Sequence, residues 1–350
     1  MQSYRITRFG QPLEAANEPD PSPKGSEVLL RVTGCGVCHS DLHLWEGFFD
    51  LGGGKKLPVG SGEGALPLTL GHEIAGEVIA LGPEASGVAL GDKRVVFPWI
   101  GCGACAYCQR GEEHLCGKSR ALGVARPGGY SDRILVPHAR YLLDYTGMPT
   151  ELACTFACSG LTAYSALKKI GRLSESEPLL IVGAGGVGLA GVRLAKAVCG
   201  VAPFVADIDD RKLEAALAAG AAGVINSAQA DAGKTLFKMT GGGALGAVDF
   251  VGAESSVTFG HMALRKGGRL VIVGLFGGTF TLPIPMFAMR ALTIGGSYVG
   301  SLSEMHELMA LGRQGLVPPI PVQKRPLAEA AHTLDDLKAG KIVGRVVLTP

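Results

Sequence analysis

One six-residue stretch, Gly183-Ala184-Gly185-Gly186-Val187-Gly188, limits what this chain can fold into more than any other. It fits G-x-G-x-x-G, a pattern that is weak alone but has its context here. The apolar run 178–182 leads into the turn at 183–186, a helical stretch at 187–199 leads out, and Asp207 ends the next strand-like run, 19 positions after Gly188. The first glycine permits the tight turn. The second lets a pyrophosphate approach the backbone. The third lets helix and strand pack closely, while the helix N-terminus supplies partial positive charge. Asp207 is expected to accept hydrogen bonds from a ribose hydroxyl. Its charge, with Asp209 and Asp210 nearby, should repel a 2′-phosphate, so the expected cofactor is NAD rather than NADP.

The pattern around this turn repeats. Apolar runs at 201–206, 224–226, 247–251 and 269–273 alternate with helical stretches, among them 210–219 with Gly220 as its stop. Strands alternating with helices imply a parallel, doubly wound sheet. The first 150 residues read differently. Strand-like runs at 28–33, 73–81 and 93–99 are separated by Gly, Pro and Asp, helical periodicity is weak, and a small β-barrel-like domain is expected. The tail offers a strand at 292–299, a helix at 327–338 and a strand at 342–348. Pattern alone leaves open whether it rejoins the first domain. A chain of 350 residues is too long for one core to be the default.

Charge and cysteine content narrow the class. With 33 basic and 31 acidic side chains, nothing suggests a nucleic-acid or anionic-membrane partner. Residues 179–198 are apolar over about a bilayer's thickness, but Arg193, Lys196 and the glycines at 183, 185, 186 and 188 interrupt them, and strand-turn-helix explains them better than a membrane span. The start, Met1-Gln2-Ser3-Tyr4-Arg5-Ile6, has no apolar signal core, so a cytoplasmic setting is expected. There, nine cysteines, an odd number, point to metal rather than to a disulfide framework.

Four of them form Cys102-x2-Cys105-x2-Cys108-x7-Cys116. Such a set can surround one zinc at about 2.3 Å with no position left open, which organises a loop and performs no chemistry. An iron–sulfur cluster is the other occupant that four thiolates allow. A second group lies in Gly34-Cys35-Gly36-Val37-Cys38-His39-Ser40-Asp41-Leu42-His43 and Gly71-His72-Glu73. A catalytic zinc needs about three protein ligands, mixing Cys and His, and one open position. Cys38 and His72 are candidates.

Taken together and in this order, these features resemble the zinc-containing alcohol dehydrogenases of the medium-chain dehydrogenase/reductase family. The resemblance runs along the whole chain. It is carried by residues 36–43, Gly71-His72-Glu73, the four-cysteine lobe, Cys158-Ser159-Gly160-Leu161-Thr162-Ala163-Tyr164 and the glycine turn. It implies a Rossmann doubly wound sheet with a GroES-like β-barrel catalytic domain: residues 1–154 catalytic with the structural zinc lobe, 155–294 binding NAD, and 295–350 returning to the catalytic domain. It implies two zinc ions per chain. Cys38, His72 and Cys158 would hold the catalytic ion, Cys158 preferred over Cys154 for the Ser-Gly-x-Thr that follows it. Cys102, Cys105, Cys108 and Cys116 would hold the structural one. Glu73 matches a position beside the metal, Ser40 one that touches the substrate oxygen, and His43 the solvent end of a proton relay. His39 and Arg345 match contacts to the cofactor phosphates, and Lys212 a contact to the adenosine ribose, alongside Gly183, Gly185, Gly186, Val187, Gly188 and Asp207.

The implied activity is reversible hydride transfer between an alcohol, primary or secondary and possibly aryl, and NAD, in a homo-oligomer, dimer or tetramer, paired through sheet edges. A polyol dehydrogenase of the same fold is the alternative, and that branch typically lacks a thiol at the position of Cys158. A zinc-free quinone reductase would lack the cysteine lobe, and a scaffold protein would not need Cys38, His72, Ser40 and His43 together. Trp45, Phe48, Phe49 and Trp99 are candidates for a pocket suited to bulky or aromatic substrates, or else for core packing. The segment 52–64 reads as an extended loop at a substrate entrance, and Cys35, Cys154 and Cys199 as small buried apolar side chains.

Overall fold

The computed structural model describes residues 1–59 and 66–350. The second half is built on six parallel strands lying in the order Gly223–Asn226, Phe204–Asp207, Leu179–Val182, Ala244–Asp249, Leu264–Ile272, Thr293–Gly296. Leu179–Val182 is buried along its whole length, as a strand covered by helices on both faces must be. Its side chains alternate between two cores. Leu180 and Val182 pack with Leu236, Val257 and Leu270, whereas Ile181 packs with Leu189, Val192 and Leu213. The chain order reverses between Leu179–Val182 and Ala244–Asp249. That is the switch point at which such sheets open a crevice beyond their strand ends.

The first half holds a seven-stranded sheet running Leu142–Asp144, Lys93–Val96, Glu73–Leu81, Val28–Gly36, Arg345–Thr349, Val322–Pro326, with Arg133–Val136 also paired to Val28–Gly36. Two register shifts between Val28–Gly36 and Glu73–Leu81 bend the sheet towards closure. The tail strands lie in this sheet, Val347 and Leu348 pairing with Gly36 and Cys35. Among the described residues, no helix is long and apolar enough to cross a membrane.

Several elements differ from expectation. The strand expected at 201–206 is Phe204–Asp207, starting after Pro203, which has no N–H to give a ladder. That at 93–99 stops at Val96, short of Pro98. That at 292–299 is Thr293–Gly296, and Val299 adopts φ 47°. The final strand starts at Arg345, just after Gly344 at φ 82°. The segment expected to be an extended loop is, up to Pro58, an antiparallel hairpin of Phe48–Gly52 and Lys55–Pro58 with Gly53 and Gly54 at its tip; its remainder, 60–65, lies outside the described residues. Helices His39–Glu46 and Leu302–Arg313 were not expected.

Candidate active site and metal centres

Three elements bring the mixed ligand set together. Cys38 is the N-cap of helix His39–Glu46. His72 directly precedes strand Glu73–Leu81. Cys158 lies in a single π-helical turn, Phe156–Gly160, between helices Thr150–Thr155 and Leu161–Ile170, an irregularity that often marks functional sites. One ligand atom from each of Cys38, His72 and Cys158 lies within 4.8 Å of the others, and all three residues are buried. The two sulfurs are 4.0 Å apart. Two sulfurs at about 2.3 Å from one tetrahedral ion would lie about 3.8 Å apart. Nε2 of His72 is buried with no hydrogen-bond partner, which a metal ligand requires and an ordinary core histidine avoids. The residues therefore fit a zinc. The Cys158 thiol, against the cost of burial and together with His72 and Arg345, holds the Cys38 thiol well below its usual range. Cys154 is also fully buried, but its thiol points to the Glu151 carbonyl, 3.6 Å away, and stands outside the set.

Behind this trio stand two buried carboxylates. Asp41 Oδ1 lies 3.2 Å from Nδ1 of His72, and its other oxygen accepts the backbone N–H of Cys38 at 2.9 Å and the hydroxyl of Tyr130 at 3.1 Å. Burial opposes charge on His72, yet Asp41 and Cys38 hold its imidazole well above the usual range. Glu73 accepts the Ser159 amide at 2.9 Å and forms an ion pair with Arg345 inside the protein. Burial outweighs Arg345 in raising its carboxyl above the usual value.

Two of the trio, Cys38 and Cys158, line a cavity of about 1220 Å³ that continues to the glycine turn. Cys38, Cys158, Ser40 and His43 line one part, and Gly183, Gly185, Gly186, Val187, Gly188, Asp207 and Lys212 line another; His39 and Arg345 lie on its wall as well. Each glycine's mechanical reason is visible. Gly183 has φ 92°. A Cβ on Gly188 would collide with the Gly183 carbonyl oxygen, whereas one on Gly185 meets no protein atom within 4 Å. Gly185 caps helix Gly186–Cys199 without any side-chain bond, so the orphan N–H groups of its first turn remain available to a phosphate. The turn thus fits a dinucleotide. Asp207 accepts the Ala184 amide at 2.7 Å and those of Ile208 and Asp209, which fixes the carboxylate at the cavity edge. The Arg345 stem runs over Gly186, but its guanidinium turns inward to Glu73.

The second centre is a lobe in which the ligand atoms of Cys102, Cys105, Cys108 and Cys116 all lie within 4.8 Å of one another. Cys105 lies 3.5 Å from Cys108 and 3.7 Å from Cys116, close to the spacing of a tetrahedral sulfur cage. Glu113, a buried carboxylate within the lobe, accepts the Gly101 amide at 3.0 Å and the Tyr141 hydroxyl at 2.8 Å, tying the lobe to the barrel.

Of the four aromatic candidates, Phe49 and Trp99 line the cavity. Trp45 does not: its indole donates to the Gln11 carbonyl at 2.6 Å and its face carries Lys338. Phe48 sits under Lys56. Phe250, Phe259, Phe276 and Tyr298 also line the cavity and were not foreseen, because they come from loops and helices far apart in sequence. Cys35, Cys154 and Cys199 are fully buried.

Family models describe the two halves: residues 24–145 match an alcohol dehydrogenase GroES-like domain and residues 186–313 a zinc-binding dehydrogenase. The chain is 38% identical over 352 residues, covering all of both chains, to an NAD-dependent alcohol dehydrogenase of Sulfurisphaera tokodaii, and equally so to one of Saccharolobus solfataricus. Its fold is similar to the crystal structure of the alcohol dehydrogenase of Aeropyrum pernix, with a TM-score of 0.88 at 30% identity over the full length of both.

Proposed function

Because this chain belongs to the zinc-containing alcohol dehydrogenases of the medium-chain dehydrogenase/reductase family, we propose that Cys38, His72 and Cys158 hold the zinc at which it oxidises its alcohol. The activity is NAD-dependent and acts on CH–OH. The observation that carries the assignment is the meeting of these three ligands, with Cys38 and Cys158 on the wall of the cavity that also holds the glycine turn and His72 buried behind them. We assign the catalytic domain to residues 1–154 and 295–350 and the NAD-binding domain to 155–294, which lends Cys158 to the metal site. The four-cysteine lobe takes a second, structural zinc.

When bound, zinc supplies a Lewis acid to the alcohol oxygen and the nicotinamide accepts the hydride. The chain's own groups do the rest. Ser40 and His43 lie three residues apart on helix His39–Glu46, so they share a face, and both line the cavity. Ser40 accepts the alcohol proton as it hands on its own, and His43 passes that proton outward to solvent. Burial holds the His43 imidazole below its usual value, so it is neutral and able to accept near neutral pH. Asp207 and Lys212 hold the adenosine ribose, His39 and Arg345 lie towards the phosphates, and Glu73 keeps Arg345 and the Cys158 turn in place. His43→Ala should slow oxidation about 10- to 100-fold, since water replaces part of a relay group. The acid limb of the wild-type pH–rate profile should fall below about 6.5 and disappear in the variant; an unchanged profile removes His43 from the relay.

The cavity lining around Phe49, Trp99 and Tyr298 is apolar, which favours bulky or aryl alcohols over polyols. The chain pairs with copies of itself through the unpaired edge strand Thr293–Gly296, beside the exposed Ile284, Met286 and Met289. Six of the nine cysteines sit in the two ligand sets and none is in a disulfide, which suits a reducing cytoplasm. The test is NAD reduction with primary, secondary, aryl and polyol substrates, alongside zinc content and native mass. Aryl or bulky secondary alcohols should lead and zinc should measure two per chain. A polyol as best substrate, or one zinc per active chain, overturns the reading.

A further inference from the structure

We infer that Tyr130 is a positioning residue for the catalytic metal, acting through Asp41 on His72 and Cys38. The inference rests on the assignment of Cys38, His72 and Cys158 as zinc ligands. Its own observation is a buried chain of contacts: the Tyr130 hydroxyl donates to Asp41 Oδ2 at 3.1 Å, and Asp41 Oδ1 faces His72 Nδ1 at 3.2 Å. Tyr130, Asp41 and His72 are all fully buried.

The backbone places these groups. Gly128, Gly129 and Tyr130 donate their amides to the carbonyls of Thr69, Gly71 and Leu70, each at 2.8 Å, so Tyr130 runs alongside the segment that ends in His72. Gly71, at φ 93°, lets the ring close in: a Cβ there would lie 2.5 Å from Cδ1 of Tyr130. The carboxylate is therefore a hub for three segments. It touches one ligand at its backbone, through the Cys38 amide at 2.9 Å, and another at its ring.

Asp41 has a donor to satisfy on each side. With Oδ2 held by Tyr130 and the Cys38 amide, Oδ1 is left aimed at Nδ1 of His72. That 3.2 Å contact, which lacks the alignment of a hydrogen bond, biases the ring so that Nε2, likewise without a protein partner, is left for the metal. Without the tyrosine hydroxyl, one oxygen of a fully buried carboxylate loses a donor, and the carboxylate is free to turn. Groups that orient a histidine ligand in this way are typically worth about 10- to 100-fold in metal affinity.

The test uses the zinc-loaded full-length enzyme, with the lobe as internal control. Tyr130→Phe keeps the ring against Gly71 and removes only the hydroxyl. It should speed release of one zinc per chain to a chelator about tenfold, leave the other unchanged, and shift the visible spectrum of the cobalt-substituted catalytic site. A packing role predicts instead that the Phe variant matches wild type and only Tyr130→Leu is impaired; that result overturns the inference. Asp41→Asn gives a second route. It should speed release at least as much, and adding Tyr130→Phe to it should change the rate less than about twofold, whereas additive effects overturn the shared pathway. A wild type that holds only one zinc would sink the metal assignment itself. A wild type with two, indistinguishable from Tyr130→Phe, sinks the role of the tyrosine alone.

Discussion

Cys38→Ser is expected to lose one of two zinc ions per chain and nearly all turnover, with the fold and the other zinc intact. Cys38 and Cys158 supply the two sulfurs, 4.0 Å apart, and the remaining ligand is a single imidazole. A serine hydroxyl at this position is a far weaker ligand than a thiolate, because it does not ionise near neutral pH. Lewis-acid stabilisation of the transition state is worth several kcal/mol, and about 1.4 kcal/mol is a factor of ten, so the rate should fall by about three decades or more. The lobe is a separate cage on a separate loop, tied down by Glu113, and should keep its ion. The measurements are zinc per chain by elemental analysis, kcat with the best alcohol of the panel, and the melting curve. Wild-type turnover in the one-zinc variant would show that the chemistry happens elsewhere. Loss of both ions together would show that the lobe is coupled to the site.

What could be read beforehand follows from how local each feature is. The four-cysteine lobe needs only one loop of fifteen residues, so its ligands declare themselves by spacing. The glycine turn is equally local: Gly183, Gly186 and Gly188 each meet a close neighbour, and Gly185 is left open. The catalytic trio is not local. Cys38, His72 and Cys158 come from three elements, and spacing reaches only the first two; the third follows from family resemblance, and its inward direction from a π-helical turn that no residue preference announces. Helix His39–Glu46 went unread for a related reason. Its N-cap is a cysteine, outside the usual Ser, Thr, Asp and Asn, and it is stabilised by Asp41 reaching back to the Cys38 amide. By contrast, Leu302–Arg313 opens with Ser301-x-x-Glu304, a capping box that was legible and passed over. Partners across the fold, such as Tyr130 for Asp41 and Arg345 for Glu73, leave no local trace at all.

Arg345→Met is expected to cost about 3–5 kcal/mol of stability, the usual consequence of removing one member of a buried ion pair and leaving its partner uncompensated. Arg345 is 4% exposed and Glu73 is fully buried, so water cannot take over the lost interaction. Methionine preserves most of the stem that covers Gly186, which confines the change to the charge. Glu73 would keep only the Ser159 amide at 2.9 Å, which is one hydrogen bond against the desolvation of a whole charge. Because Ser159 adjoins Cys158 in the π-helical turn, the disturbance should reach the metal site, and KM for NAD should rise as the cavity wall loses a positive charge. The urea midpoint and melting temperature measure the first effect, and steady-state kinetics the second. Glu73→Gln/Arg345→Met, which removes both charges, should recover most of the stability but not the NAD affinity. That split would separate the two roles proposed for Arg345, its charge held against Glu73 and its place towards the cofactor phosphates. A single variant as stable as wild type would show that the Ser159 amide alone satisfies Glu73. A double variant no better than the single would place the loss in packing over Gly186 rather than in the charge.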